Sequence, residues 1–174
     1  MSSDSLQSNR PPAPGTSIQR SALVEPWQDD EWQRLWLAIA SRPWRTLALI
    51  PAGAGASPQF TPLIAVILSR TGMVHLGRPV QVADATQVAL SQLTSFFSEI
   101  ERSTREGERL LIALPPSENA ITTAIAQAAD VAVLCILNEK MSASAAKRTV
   151  KAIGASRFLG SAIFHPHQFE AVSK

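Results

Sequence analysis

Residues 46–61 read Thr-Leu-Ala-Leu-Ile-Pro-Ala-Gly-Ala-Gly-Ala-Ser-Pro-Gln-Phe-Thr. The first five residues form an apolar run of strand length, the middle is small and glycine-rich, and a long apolar segment begins at Leu63. A strand, a tight glycine turn and a helix in this order are the layout of a phosphate-binding loop, in which backbone N–H groups and a helix N-terminus hold the anion. The stretch therefore predicts the backbone of an anion site.

The side chains that complete such a site are missing. A phosphate-binding loop needs a Lys followed by Ser or Thr just inside the helix, which bind the β- and γ-phosphates and magnesium. Pro58 and Gln59 occupy these two positions. The contacts that remain are those of the loop backbone around Gly53, Gly55 and Ser57, which are the candidate cofactor-binding residues of the loop.

The start of the following helix is open between two cap patterns. Ser57 with Pro58 is a good pair of cap and first-turn residues, and so is Thr61 with Pro62. A start at the second pair would displace the helix N-terminus by one turn from the loop and weaken a phosphate site further.

Composition sets limits on the class of protein. The 174 residues suit one domain plus a tail. Residues 1–26 are rich in Ser, Pro and Gln and are expected to be a disordered tail, while residues 27–174 are expected to form a single domain.

The N-terminus lacks the apolar core of a signal peptide and no run has the length of a membrane span, so we expect a cytoplasmic protein. The net charge is +2 and no cluster of Lys and Arg with interleaved aromatics occurs, so nucleic acid is not an expected partner.

Strand-like and helix-like segments alternate along the domain. This alternation predicts an α/β fold with a mostly parallel sheet and helices on both faces. Gly72–Gly77 is predicted to be a turn or a short insertion, and Cys135, in an apolar strand, is predicted to be a buried, inert thiol. The predicted strands are 46–50, 78–84, 110–114, 131–137 and 158–164. The predicted helices span about 30–42, 58–70 or 62–70, 87–105, 117–129 and 142–153.

The leading helix carries one apolar face. Trp32, Leu35, Trp36 and Ile39 are spaced at i, i+3, i+4 and i+7. Two interpretations of the tryptophans stay open. They belong to the core, or they form a surface that contacts a neighbouring subunit or a membrane-protein partner.

Four short motifs lie at the predicted strand ends and on the leading helix. They are Gly53–Gln59 after the first strand; Gly77-Arg78-Pro79-Val80 with Asp84-Ala85-Thr86 around the second; Ala113-Leu114-Pro115-Pro116 after the third; and Glu31, Arg34 and Leu37 on the helix. In order and spacing these motifs resemble those of the cytoplasmic ATPase domain of bacterial tyrosine kinases of capsule and exopolysaccharide synthesis, a branch of the partition-type P-loop ATPases. The resemblance covers about residues 27–165.

The resemblance implies a P-loop-NTPase-like fold with a degenerate nucleotide site. Relative to the family motifs, the loop lysine and the magnesium hydroxyl are absent, Thr86 replaces an Asp, and Ala113 replaces another. The chain also has no tyrosine, so the family's modification of its own tyrosine-rich tail is excluded. Losing one such group typically costs on the order of a hundredfold in rate. We therefore expect neither turnover nor a cofactor.

Asp84 is the one family carboxylate that remains. It either still holds a magnesium-bound water or caps a turn at the strand end. On the leading helix, the family places a ring-forming contact at the positions of Glu31 and Arg34, with Leu37 in place of its last arginine. Together with Trp32 and Trp36, Glu31 and Arg34 are the candidate interaction residues.

Three functions are compatible with these residues. The first is a non-catalytic, kinase-like partner in exopolysaccharide or capsule synthesis and export, which binds a membrane-embedded polysaccharide chain-length or export protein or assembles as a homo-oligomer. Such a partner would place the protein peripherally at the inner membrane. The second is a nucleotide sensor or weak ATPase that still binds ATP and magnesium through the loop backbone and Asp84. The third is a partition-type regulator of polarity or division.

Overall fold

A computed structural model describes residues 25–78 and 80–169. The predicted tail, residues 1–26, lies outside this range apart from its last two residues. The fold is a five-stranded sheet in the order β2-β3-β1-β4-β5, and every neighbouring pair of strands is parallel. The strands are β1 (Thr46–Pro51), β2 (Gln81–Asp84), β3 (Leu110–Ala113), β4 (Val131–Leu137) and β5 (Phe158–Phe164). The predicted α/β architecture is confirmed.

In the described part of the chain, five α-helices precede or connect the strands. Short polar side chains cap three of them: Asp29 accepts from the N–H of Glu31, Asn119 from that of Ile121, and Ser142 from that of Ala145. Such caps satisfy N–H groups that have no partner inside the helix. The helices are α1 (Asp30–Ala40), α2 (Phe60–Leu76), α3 (Leu93–Arg105), α4 (Ala120–Ala128) and α5 (Ala143–Ile153).

The central strand β1 separates two hydrophobic layers. Leu47 and Leu49 pack in the layer that contains α1 and α2. Ala48 and Ile50 pack in the opposite layer, with α4 and the inner side of α3. The alternation follows from the strand geometry, because successive side chains point to opposite faces of a sheet. The cover is thinnest at β2, an edge strand that pairs only with β3 and is largely exposed.

Helix α2 is longer than the sequence indicates. The turn predicted at Gly72–Gly77 is wrong, since the helix continues to Leu76 and ends at Gly77, whose φ of 68° is left-handed and whose N–H donates to the Met73 carbonyl over 2.9 Å. Gly72 lies inside the helix for a packing reason. A Cβ at this position would stand 2.6 Å from Cη2 of Trp36, so the missing side chain lets the indole of α1 lie against α2.

Three hydrogen bonds join the start of β1 to the residue before β4, at the amino end of the sheet. The Asp130 carboxylate accepts hydrogen bonds from the N–H groups of Arg45 and Thr46 at 2.8 and 2.9 Å, and the Asp130 N–H donates to the Thr46 hydroxyl. Partial burial raises the pKa of Asp130, but the hydrogen bonds from Thr46 and Arg45 and the nearby Arg45 charge outweigh it, so the pKa lies below its ordinary value.

The one cysteine is buried, as predicted. Cys135 lies within β4 and has no accessible surface. Burial raises the pKa of its thiol to about 12, so at neutral pH the reactive thiolate is scarce.

Candidate functional site

The carboxyl ends of three strands meet at one edge of the sheet. Leu49 of β1 is in register with Ala113 of β3, and Ala113 is in register with Asp84 of β2. This places the glycine loop after β1 beside the segments that follow β2 and β3, where parallel α/β sheets bind ligands. A cleft of about 370 Å³ opens there, lined by Pro51, Ala54, Ala56, Ser57, Pro58, Phe60, Thr61, Thr86, Gln87, Pro115 and Pro116.

The glycine loop is held at both of its ends. At its start, the Ala52 N–H donates to the Cys135 carbonyl over 2.9 Å, and Gly53 follows with a φ of 152°. At its end, the N–H of Phe60 donates to the carbonyl of Ser57 over 3.0 Å. Helix α2 begins at Phe60, after a Gln59 whose side chain makes no capping hydrogen bond. The helix therefore starts between the two cap pairs that the sequence offers.

Thr61 has a structural partner of its own. Its side chain is buried, and its hydroxyl donates to the Leu114 carbonyl at the end of β3 over 2.8 Å. The hydroxyl nearest the start of α2 is therefore engaged in joining the helix to the sheet.

Gly55 faces the backbone of a distant segment. A Cβ built on Gly55 would lie 2.0 Å from the carbonyl oxygen of Lys140, in the turn between β4 and α5. The absence of a side chain at this position therefore makes room for another part of the chain. A carbonyl oxygen carries partial negative charge, so this neighbour opposes an anion at the loop. Gly53 is similarly close to α5, since its Cβ would lie 3.0 Å from the Ala145 side chain.

Backbone donors are still present in the loop. Within the described part of the chain, the N–H groups of Ala54, Gly55 and Ser57 donate to no backbone or side-chain acceptor. The glycine motif predicts an anion site built on backbone donors of this kind. The charged part is missing, because none of the described side chains that line the cleft carries a charge.

Asp84 is engaged in a local turn. The N–H and the hydroxyl of Thr86 both donate to one carboxylate oxygen of Asp84, over 2.9 and 2.6 Å. This is the geometry of a side-chain-capped turn, and it favours the second of the two interpretations of this carboxylate. Asp84 does not line the cleft. Across the described residues, no group of three or more His, Cys, Asp or Glu side chains is arranged to hold a metal ion.

The leading helix separates the candidate interaction residues into two sets. Trp32 and Trp36 are 3% and 1% exposed, so their rings belong to the core and do not form a contact surface in this conformation. Trp32 contacts Phe164 at a centroid distance of 5.4 Å, and Trp36 contacts Trp44 at 6.2 Å. Of the two interpretations of the tryptophans, burial therefore favours the core, and a contact of Trp32 or Trp36 with a partner stays a prediction. The helical spacing puts them on the buried side of an amphipathic helix.

The other candidates on the leading helix point outward. Glu31 and Arg34 are exposed, and Leu37 has 57% of its surface accessible. Glu31 accepts a hydrogen bond of 2.6 Å from the side-chain amide of Gln168. The exposed residues therefore lie one helical turn apart along a single helix face.

Sequence patterns do not identify all the residues that shape the cleft. The role of Thr86 has a local signal, since an Asp followed two residues later by Thr is a common turn pattern. The approach of the Lys140 carbonyl to Gly55 has none, because the two residues are far apart in the chain and the contact involves only backbone atoms.

Comparison with known proteins supports the fold. No family model matches the chain, and no curated protein matches its sequence. Among solved structures, the fold is similar to one described as the BceF tyrosine kinase domain, with a TM-score of 0.50 and 17% sequence identity. The match covers 75% of this chain and 72% of that domain.

Proposed function

We propose that this protein is a non-catalytic, kinase-like partner or regulator in exopolysaccharide or capsule biosynthesis and export. The sequence motifs resemble that kinase family, and the similarity in fold to a tyrosine kinase domain is in keeping with it. The observation that carries the non-catalytic part is the cleft beside the glycine loop, whose lining side chains are all uncharged.

The chemistry of phosphoryl transfer explains why that observation supports a non-catalytic role. Catalysis of this kind depends on positioning and on neutralising the charge of the transferred phosphoryl group by a lysine and by metal ions. Here the loop presents backbone donors alone, and the carbonyl oxygen of Lys140 stands next to Gly55. Each missing group costs on the order of a hundredfold or more in rate, so we expect no turnover above background.

A protein that acts by binding a partner, without catalysis, needs a surface that contacts this partner. We assign it to the outward face of α1, where Glu31, Arg34 and Leu37 are exposed. The proposed partner is the cytoplasmic part of a membrane-embedded polysaccharide chain-length or export protein, or a second copy of this chain. None of the described helices combines the length and the apolar character needed to cross a bilayer. In this proposal the membrane location comes from the partner.

Calorimetry with ATP and magnesium tests the proposal. We expect no binding tighter than about 100 μM, and no phosphate release above that of a buffer control. Measurable hydrolysis, or transfer of phosphate to another protein, that persists after further purification would contradict the non-catalytic assignment.

The free N–H groups of Ala54, Gly55 and Ser57 favour a second candidate, a nucleotide sensor. These donors could hold a phosphate without a lysine, at reduced affinity. A sensor would bind ATP in the same calorimetric experiment. Loss of that binding in Asp84→Ala, with retention in the α3 surface variant Glu99→Gln, would assign the site to this edge of the sheet.

A further inference from the structure

A cavity lies between α3 and α4, at the amino end of the sheet and away from the cleft beside the glycine loop. Its volume is about 410 Å³, which is within the range of pockets that hold small molecules. Most of its wall is hydrocarbon. The apolar residues that line it are Phe97, Ile100, Ile112, Ile125, Ala128 and Ala129.

Helix α3 covers this part of the sheet incompletely. Its apolar side packs toward the sheet through Leu93, Phe96, Phe97 and Ile100, but none of its residues is fully buried. Protein interiors are close-packed, so an apolar wall without neighbouring atoms forfeits dispersion contacts. A ligand with an apolar body would supply these contacts.

Charged side chains lie where the cavity meets the solvent. Arg45, Glu101 and Asp130 line the cavity and are exposed. Oδ2 of Asp130 accepts the hydrogen bonds from the N–H groups of Arg45 and Thr46, and these two bonds fix the carboxylate. Oδ1 accepts a hydrogen bond from none of the described residues. The cavity therefore combines an apolar wall with a positioned acceptor that is free.

The charges that line the cavity favour a cation. Two carboxylates and one guanidinium border it, and Glu101 also pairs with Arg105 on α3. The Arg45 guanidinium makes no ion pair or hydrogen bond with the described residues, so this long side chain is free to turn toward the solvent. Asp130 is held by the backbone and lacks that freedom. Its negative charge is the one that a ligand meets in a fixed position.

We propose that this cavity binds a small primary amine with an apolar body. The apolar part lies against Phe97, Ile100 and Ile112, and the ammonium group donates to Oδ1 of Asp130. A hydrogen bond between two charged groups is stronger than one between neutral groups. The inference does not depend on the proposed function, because the glycine loop lies at the carboxyl end of the sheet and the proposed partner surface lies on α1.

A nuclear magnetic resonance titration of the full chain with phenethylamine tests the proposal. We expect saturable shifts in the amide signals of the residues that line the cavity, with a dissociation constant of about 1 mM. Hydrocinnamate carries a carboxylate in place of the ammonium group and should bind about tenfold more weakly, because it cannot donate to Asp130. Equal affinity for the amine and the acid would overturn the proposal, as would shifts that do not saturate.

Asp130→Asn separates recognition of the amine from stability of the fold. The asparagine oxygen can still accept from the N–H groups of Arg45 and Thr46, while its amide group replaces the free acceptor by a donor. We expect the affinity for phenethylamine to fall about tenfold. Arg45→Gln should have the opposite effect and raise this affinity about threefold, since it removes the opposing charge. An affinity that neither substitution changes would contradict the role of Asp130.

Filling the cavity is an independent test that leaves Asp130 in place. Ala128→Leu adds a larger side chain at an exposed position of α4 that lines the cavity, and it should weaken binding of phenethylamine about tenfold. Gln127→Leu is the matched control, because Gln127 is the neighbouring exposed residue of α4 and does not line the cavity. Unchanged binding in Ala128→Leu, or an equal loss in both variants, would overturn the proposal.

Discussion

Gly55 shows how one residue determines what the loop can do. Its missing Cβ would lie 2.0 Å from the Lys140 carbonyl oxygen, far inside contact distance. Gly55→Ala must therefore displace the backbone of the 138–142 turn, and we expect it to lower the free energy of unfolding by about 1–3 kcal/mol. Urea denaturation followed by circular dichroism measures this difference.

Gly160→Ala is the matched control for this substitution. Gly160 is exposed in β5, and none of the described residues beyond its chain neighbours has an atom within 4 Å of its Cβ position. Alanine at this position should be neutral or slightly stabilising, because it reduces the freedom of the unfolded chain. If Gly55→Ala were as harmless as Gly160→Ala, the close approach of Lys140 would be wrong.

Asp130 gives a prediction about pH. Its pKa is lowered in the folded protein, so its contribution to stability is fully present above the unfolded pKa of about 3.9 and is lost as the pH falls through the lower, folded value. Asp130→Ala removes the acceptor of two N–H groups and should cost about 1 kcal/mol at pH 7. The difference from the wild type should shrink below pH 4.

Denaturation of both proteins at pH 7 and pH 3 checks the Asp130 prediction. Glu99→Gln is a suitable comparison, since Glu99 is exposed on α3 and makes no hydrogen bond or ion pair with the described residues. A stability difference for Asp130→Ala that is independent of pH would show that the carboxylate charge does not contribute.

The glycine loop also shows what the sequence can and cannot predict about single residues. The sequence shows directly that Pro58 and Gln59 replace the charged and hydroxyl side chains of a phosphate loop. It does not show what fills the space beside the glycines, because a glycine is equally compatible with an approaching ligand and with an approaching backbone. Only the tertiary structure shows that the Lys140 carbonyl occupies the space beside Gly55.

At the scale of whole elements, α2 depends on a contact between helices. Alanine in place of an unconstrained helical glycine stabilises a helix by up to about 1 kcal/mol. Gly72→Ala should do the opposite, since the new Cβ would meet the Trp36 ring 2.6 Å away and Val80 2.9 Å away. We expect a net destabilisation of about 1–3 kcal/mol in thermal or urea unfolding.

A double-mutant cycle with Trp36→Leu checks the cause of this effect. If the clash with the indole is responsible, Gly72→Ala should be less costly in the Trp36→Leu background than in the wild type. Additive effects of the two substitutions would contradict the proposed contact.

The hydrophobic pattern of the sequence predicted the order and type of the helices and strands, but it misplaced the end of α2. Both results have physical reasons. The span Val131–Leu137 was predicted without deviation because an apolar run between Asp130 and a polar turn has one reasonable interpretation. The end of α2 was misplaced because Gly72 and Gly77 look alike in sequence. One is a helix interior packed on Trp36, and the other is the left-handed residue that ends the helix.

At the scale of the whole molecule, alternating strands and helices were enough to predict a parallel α/β sheet. The connections of such a sheet follow strong geometric rules. The burial of Trp32 and Trp36 could not be decided from the sequence, because an amphipathic helix has the same pattern whether it faces its own core or another protein. The structure places both indoles in the core.

Assembly with a partner is the prediction at this scale. Arg34→Ala, at an exposed position on α1, should weaken capture of the proposed partner, a polysaccharide chain-length or export protein, by about tenfold without lowering the melting temperature. A pull-down with purified components measures the capture. Trp36 is unsuitable for this test, since replacing a buried indole would destabilise the fold.

Arg102→Ala is the control for the pull-down, because Arg102 is also exposed but lies on α3, on the other side of the sheet. Equal capture by the wild type and both variants would place the partner surface elsewhere on the molecule.

The Lys140 carbonyl beside Gly55 also affects when such a protein would act. Nucleotide-driven switches alternate between two states as a γ-phosphate is bound and lost. In the proposed function no nucleotide drives such an alternation at this loop, and association then follows mass action alone. We therefore expect cells to regulate this protein through synthesis and degradation, with the ratio of ATP to ADP having no direct influence on its complexes.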